Sequence, residues 1–397
     1  MSSSLSQEQS VRSNPPQICR MKNVIITGIL ILMGVPCAFS QPGQSSIPAI
    51  PESSDPQLEV LAVERRSGYE CQYVEFSTHD KERIKAYLLV PDSADCVQKA
   101  PGLVMLHDHG ARFDIGKEKL VKPMPSILEH KEQDHAFVSA HQWSDKYFDG
   151  VFLADSLASL GYVVLVADAL YWGERSSEEA QRWSEMTYGN PDNRSFESDR
   201  ILDAKIRRDT LKALKNRVYE GQRAVYDSLM ADGIIWAEKI LRDDVASVRL
   251  LRSLSCVDKQ KIGAFGFSMG AHRCWLLAAF CDEVKCGVSL SWMTTLDLSE
   301  EMNASDYSMA IMPMREYLDF GDIGQFLAPK PMLFLNGDKD HLFPMERVET
   351  AFRKLNGHYA DYPDCLQTEF FDGGHHCGKA VQQRIVSWLD LNLKCIP

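Results

Sequence analysis

Apolar residues in this chain fall into short, nearly continuous runs separated by amphipathic stretches. Tyr69 to Phe76 sets Cys71, Tyr73 and Glu75 on one face against Gln72, Val74 and Phe76 on the other. Ile84 to Val90 follows after the polar Thr78-His79-Asp80-Lys81-Glu82, so the two segments predict antiparallel strands, the second closed by Pro91. Gly102 to Leu106 is apolar without alternation, the pattern of a strand covered on both faces in a parallel sheet. Tyr162 to Ala167, Ile262 to Phe267, Gly287 to Leu290, Pro331 to Leu335 and Thr368 to Phe371 predict further strands. Between them, helical spacing covers Phe152 to Leu160 (stopped by Gly161), Gly221 to Arg242 with a continuation over Val245 to Leu254, Ala271 to Phe280, Met345 to Leu355 and Ala380 to Leu393. Strands alternating with helices predict an α/β fold, a predominantly parallel doubly wound sheet with helices on both faces.

Three stretches interrupt the alternation. Arg112 to Gly150 mixes prolines and charges without a period and reads as a long surface excursion. Its His130, His135 and His141, spaced five and six residues apart with no acidic pattern beside them, read as solvated surface, and no metal site is expected. Ser176 to Asn216 is charged and aromatic, and predicts a helical insertion over about residues 171–220. Its Trp183, Tyr188 and Phe196, with Trp172 before them, either line a cleft or simply pack. Thr294 to Phe326 is a second irregular excursion.

With 397 residues and 45% hydrophobic content, the chain suits one large domain carrying an insertion. The N-terminus stands apart. Met21-Lys22-Asn23, the apolar Val24 to Val35 and Pro36-Cys37-Ala38-Phe39-Ser40 form a signal-peptide pattern, with cleavage expected near Ser40-Gln41 and export as its consequence. The apolar run is shorter than the roughly 20 residues a spanning helix needs, so no stable membrane insertion is expected after cleavage. The expected organisation is therefore an N-terminal extension and signal peptide over 1–40, a flexible leader over 41–63 and a catalytic domain over 64–397. A net charge of −12 and a pI near 5.4 argue against a nucleic-acid partner. Eleven cysteines, two of them before residue 41, leave nine, an odd number. Cys365 with Cys377 or Cys281 with Cys286 are candidate pairs, and no Cys-x-x-Cys motif supports a zinc ribbon.

The candidate chemistry centres on Gly266-Phe267-Ser268-Met269-Gly270, which sits where the Ile262 to Phe267 strand turns into the Ala271 to Phe280 helix. That is the setting of a nucleophile elbow, in which small flanking residues tolerate a strained serine and lift its hydroxyl off the sheet edge. A serine needs a base, and imidazole is the side chain best poised at neutral pH. His375, directly after Gly373-Gly374, is the favoured base and His376 its alternative. Asp340 would orient the imidazole. Asp338, in Asn336-Gly337-Asp338, competes for that role but also suits a turn. The amide of Met269, after the serine, is the expected oxyanion donor. Gly263, Gly266 and Gly270 do not match a dinucleotide fingerprint, so an NAD-binding reading fails.

From about Glu64 onward the chain resembles the α/β-hydrolase superfamily, within it the bacterial dienelactone-hydrolase-like and acetyl-xylan-esterase-like proteins. The resemblance rests on Leu106-His107-Asp108-His109-Gly110-Ala111, Asp168 through Gly173-Glu174-Arg175, Val257-Asp258 leading to Lys261-Ile262-Gly263, the elbow, Gly337-Asp338-Lys339-Asp340 and Gly374-His375. It implies the order Ser268, Asp340, His375 for the catalytic set and a second oxyanion amide at Ala111, after His109-Gly110. It also implies a cofactor-free serine esterase whose partner is a small-molecule or polysaccharide ester, and His109, Trp172 and Trp292 are the candidate substrate contacts. Dienelactone hydrolases proper use cysteine where this chain has Ser268, which favours ester over enol-lactone substrates. A serine peptidase, an esterase for bulkier acyl or uronate esters, and a non-catalytic binding protein are the other readings. The sequence carries no signal for an oligomeric state.

Overall fold

The computed structural model describes residues 56–128, 134–188, 202–296, 308–309 and 318–395. The signal-like segment, His130, Phe196 and most of the stretch from Thr294 to Phe326 lie outside these residues. Strands β1 (Leu58–Arg66), β2 (Tyr69–Ser77), β3 (Arg83–Pro91), β4 (Ala100–Leu106), β5 (Val163–Ala167), β6 (Val257–Phe267), β7 (Cys286–Leu290), β8 (Met332–Gly337) and β9 (Leu366–Phe371) form one sheet in the order β1-β2-β3-β5-β4-β6-β7-β8-β9. The first three strands run antiparallel to their neighbours and β5 through β9 pair in parallel. The apolar runs explain this arrangement, because every residue of β4, β5, β7 and β8 is buried, as a sheet covered on both faces requires. The expected parallel, doubly wound α/β sheet is therefore present. Its strand order turns about β4, with β5 on one side and β6 on the other, so the crevice outside the carboxyl ends of β4 and β6 is the switch point of the sheet.

Helices α1 (His135–Tyr147), α2 (Leu153–Ser159), α3 (Glu178–Tyr188), α4 (Leu202–Ala231), α5 (Trp236–Ser253), α6 (Met269–Phe280), α7 (Met345–His358) and α8 (Lys379–Leu389) accompany the strands. The helix expected over Gly221 to Arg242 is two helices. Gly221 lies inside α4, and the break falls at Gly233, whose φ of +71° ends α4 as only a glycine does without strain. The strand β1 starts inside the stretch expected to be a leader. It escapes a hydropathy reading because it is a largely exposed edge strand, held by its ladder to β2. Neither candidate cysteine pair forms, since Cys281, Cys286 and Cys377 are free and buried.

The largest departure is the stretch from Arg112 to Gly150. It is not a surface excursion, for Phe113, Ile115, Lys117, Lys119, Leu120, Val121 and Met124 are all buried and α1 packs behind them. The charges misled because they are paired inside the protein. Lys117 Nζ lies 2.8 Å from Asp168 and 2.9 Å from both Glu118 and Glu174, and its side chain has no exposure at all. The Lys117 amide also donates to Asp168 at 2.7 Å, and Tyr73 donates its hydroxyl to Glu174. The network ties the segment after β4 to the exit of β5. Removing one member of such a buried set leaves uncompensated charge. Lys117→Met should therefore lower the unfolding free energy by about 3 to 5 kcal/mol in urea titrations; a loss under about 1 kcal/mol would contradict the network's structural role.

Candidate active site

Ser268 sits between β6 and α6 with φ 55° and ψ −124°, backbone values that a serine adopts only when its surroundings impose them. Two neighbours impose them. A Cβ at Gly266 would collide with the backbone of Gly270, and one at Gly270 would collide with the Leu106 carbonyl at the end of β4. The elbow therefore packs backbone on backbone against the strand whose exit loop faces the same crevice. The Ser268 amide is spent on the Leu290 carbonyl at 2.8 Å, which fixes the elbow to β7 as well. Met269 begins α6, and among the described residues its amide has no hydrogen-bond acceptor.

The histidine doublet is separated by geometry. His375 Nδ1 lies 2.8 Å from Asp340 Oδ2, whereas His376 Nε2 lies 3.2 Å from Asp149. The His375 ring rests against Phe267, the residue before the serine, at 4.8 Å between centroids, and stacks on Phe343 at 5.9 Å. Asp340 is buried, and its other oxygen accepts from the amides of Leu342 at 2.9 Å and Phe343 at 3.3 Å. Asp338 has the turn role, being exposed and accepting from the Gly373 amide at 2.9 Å. Ser268, Asp340 and His375 thus stand on loops after β6, β8 and β9, all at the carboxyl ends of parallel strands.

The remaining expected site residues fare differently. Trp292 follows β7 and packs against Phe343 at 5.7 Å and His272 at 4.5 Å, which makes it part of the aromatic wall beside His375. Trp172 is not a cleft residue in this structure. It is fully buried, and its indole N–H donates to the His109 carbonyl at 3.1 Å. The amide of Ala111 is also not open, because it donates to His109 Nδ1 at 2.9 Å. His109 itself is buried against Phe113 and Trp172, and among the described residues its Nε2 has no hydrogen-bond partner. Among the described residues no three His, Cys, Asp or Glu side chains converge as a metal site.

Sequence reasoning missed Lys119. Its ammonium is buried beneath the loop after β4 and donates to the carbonyls of Asp108 at 2.8 Å and His109 at 2.9 Å. Only the unusual run Gly116-Lys117-Glu118-Lys119, set between apolar residues, hinted at a role for it.

His109 and His272 are both buried, and burial first, then the nearby Lys119 or Arg273 charge, pushes each imidazole down to about 3. A histidine whose folded value lies below its unfolded one contributes stability that is present above about pH 6.5 and is lost as pH falls toward the folded value. From pH 7 to pH 5 each should cost about 2 kcal/mol, taking 1.36 kcal/mol per unit below 6.5. His272→Gln should flatten the wild-type pH dependence of unfolding by that amount over this window; an unchanged slope would show that His272 charges freely in the folded state.

Comparisons place this geometry among known proteins. Residues 148–312 match the model of the dienelactone hydrolase family, a segment that contains the Ser268 elbow but ends before Asp340 and His375. The Bacillus subtilis protein YtaP, provisionally described as a hydrolase, is 22% identical over 348 residues, 86% of this chain and 94% of its own. Among solved structures, a Bacteroides fragilis protein provisionally described as an acetyl xylan esterase aligns over 82% of this chain and 72% of its own, at 16% identity and a TM-score of 0.56. A glucuronoyl esterase from Solibacter usitatus aligns over 87% of this chain and 90% of its own, at 11% identity and a TM-score of 0.52. At these identities the two structures speak for the fold. The sheet and the two structural likenesses give the chain an α/β-hydrolase fold, and across residues 148–312 it is similar to the dienelactone hydrolase family.

Proposed function

We propose that this chain is a serine carboxylesterase that is exported and removes acetyl groups from carbohydrate. The observation that carries the reading is the 2.8 Å bond from His375 Nδ1 to Asp340 Oδ2, made by a ring that rests on the residue preceding the elbow serine. In this reading Ser268 Oγ attacks the acyl carbonyl and its proton passes to His375 Nε2. Asp340 holds the Nδ1–H tautomer and stabilises the imidazolium without taking the proton. The Met269 amide, at the positive end of α6, donates to the oxyanion. His375 then protonates the departing alkoxide, leaving an acetyl-serine. Water, deprotonated by the same imidazole, attacks it, acetate leaves, and the serine recovers its proton.

The wall of Phe267, Phe343 and Trp292 beside His375 is apolar, which suits a neutral ester. The narrower assignment to acetylated carbohydrate follows the description of the Bacteroides fragilis relative. Export is inferred from Met21-Lys22-Asn23, the apolar run to Val35 and the small residues before Gln41. Among the described residues no helix is long and apolar enough to cross a membrane.

The test is hydrolysis of p-nitrophenyl acetate, butyrate and octanoate by the full chain, with Ser268→Ala and His375→Ala alongside. Acetate should be the best substrate, and each substitution should lower kcat by at least about a thousandfold. Equal rates in wild type and Ser268→Ala would overturn the serine mechanism, and a preference for octanoate would overturn the acetyl assignment.

A further inference from the structure

The loop after β4 is bolted to the protein through its carbonyl oxygens, and that fixes where its amides face. The Asp108 carbonyl accepts from Lys119 Nζ at 2.8 Å and from His107 Nδ1 at 2.9 Å. His107 donates there because its Nε2 accepts the Ala169 amide at 3.0 Å, which leaves the proton on Nδ1. The His109 carbonyl accepts from Lys119 Nζ at 2.9 Å, from Trp172 Nε1 at 3.1 Å and weakly from the Arg112 amide at 3.4 Å. Trp143 Nε1 holds the Asp108 carboxylate at 3.1 Å. In a planar trans peptide unit the C=O and N–H point in opposite directions. With two carbonyls drawn down onto Lys119, the amides of the same two units, those of His109 and Gly110, face away from it. Among the described residues neither has an acceptor, whereas the Ala111 amide is committed to His109 Nδ1. The elbow lies against this same backbone, since Gly270 abuts the carbonyls of Leu106 and His107.

We propose that the His109 amide, not that of Ala111, is the second oxyanion donor, that Lys119 is the positioning residue that aims it by holding the Asp108 carbonyl of the same peptide unit, and that Trp172 supports it one unit on by fixing the His109–Gly110 peptide. Donors on the Asp108 carbonyl polarise its peptide unit and strengthen the His109 N–H on the other end. The ammonium lies behind the loop, out of water, with the Asp108 carboxylate 3.6 Å away as its counter-charge, so its effect on the loop runs through the two carbonyls it holds. His109 is the nearer of the two free amides to the end of β4, where the elbow makes its contact. Its ring serves the same arrangement by occupying the Ala111 amide. This inference rests on the serine-esterase reading, and its test separates the two.

The experiment measures kcat and KM for p-nitrophenyl acetate, per serine titrated to completion with a fluorophosphonate, in wild type, Lys119→Met, Trp172→Phe and Ser268→Ala. Inhibition by a trifluoromethyl ketone, whose adduct carries an oxyanion, is measured on the same samples. Lys119→Met should lower kcat per titrated serine by about 10- to 100-fold with KM within about threefold, and should weaken the ketone by the same factor as kcat/KM. Trp172→Phe, which removes one donor and keeps an aromatic ring, should show the same pattern at about 3- to 10-fold. A merely structural Lys119 would lower the number of titratable serines and leave kcat per serine and ketone affinity intact, which overturns the proposal. Should Lys119→Met fail to fold, Trp172→Phe decides: an unchanged kcat, or a rise in KM alone, overturns it. If instead wild type matches Ser268→Ala, the esterase reading falls and this one with it.

Discussion

One backbone contact sets the geometry on which the site depends. Gly270, the second residue of α6, lies directly on the Leu106 carbonyl at the end of β4, and no residue with a Cβ can take its place. That approach brings the strained Ser268 turn and the His107 to Ala111 loop to one crevice, at the point where the strand order of the sheet reverses. The strain of about 1 to 3 kcal/mol in such a turn is sustained by its surroundings. Here those are the Ser268 amide bond to Leu290, the second glycine at Gly266 and the buried strands on either side.

Behind that contact lies a layer of buried charge. Lys117 joins Asp168, Glu118 and Glu174, while Lys119, two residues on, reaches the main-chain carbonyls of Asp108 and His109 with the Asp108 carboxylate beside them. Both ammonium groups are enclosed, and each is tolerated because it is surrounded by acceptors. The first holds the segment after β4 against β5, and the second reaches the loop that faces the elbow. The same stretch of chain thus links the sheet to the proposed chemistry without contributing a reacting group.

Much of this was legible in residue order. Continuous apolar runs marked β4 through β8, and the small residues around Ser268 marked the elbow, because burial on both faces and a tight turn each restrict residue type severely. Asp340 and His375 were placed by their positions after strands, and the structure joins them. What hydropathy could not show was the interior of residues 112–124, since a lysine paired with three carboxylates looks on paper like a solvated one. Nor could it show that Trp172 would turn its indole to a carbonyl, or that His109 would use its ring on the Ala111 amide. Those depend on which polar atoms meet across the fold. The edge strand β1 escaped for a different reason: it buries little and is held by main-chain bonds, which leave no hydrophobic trace. The break at Gly233 was hidden because apolar spacing continues across it.

The central claim is that Ser268 is the nucleophile of a serine hydrolase. It is tested most directly by reacting the full chain with a fluorophosphonate, following residual esterase activity, and mapping the adduct by peptide mass spectrometry. The account predicts one adduct per chain, on the peptide containing Ser268, appearing in step with the loss of activity. An adduct on another residue that accompanies inactivation, or full labelling of Ser268 with activity retained, would contradict it.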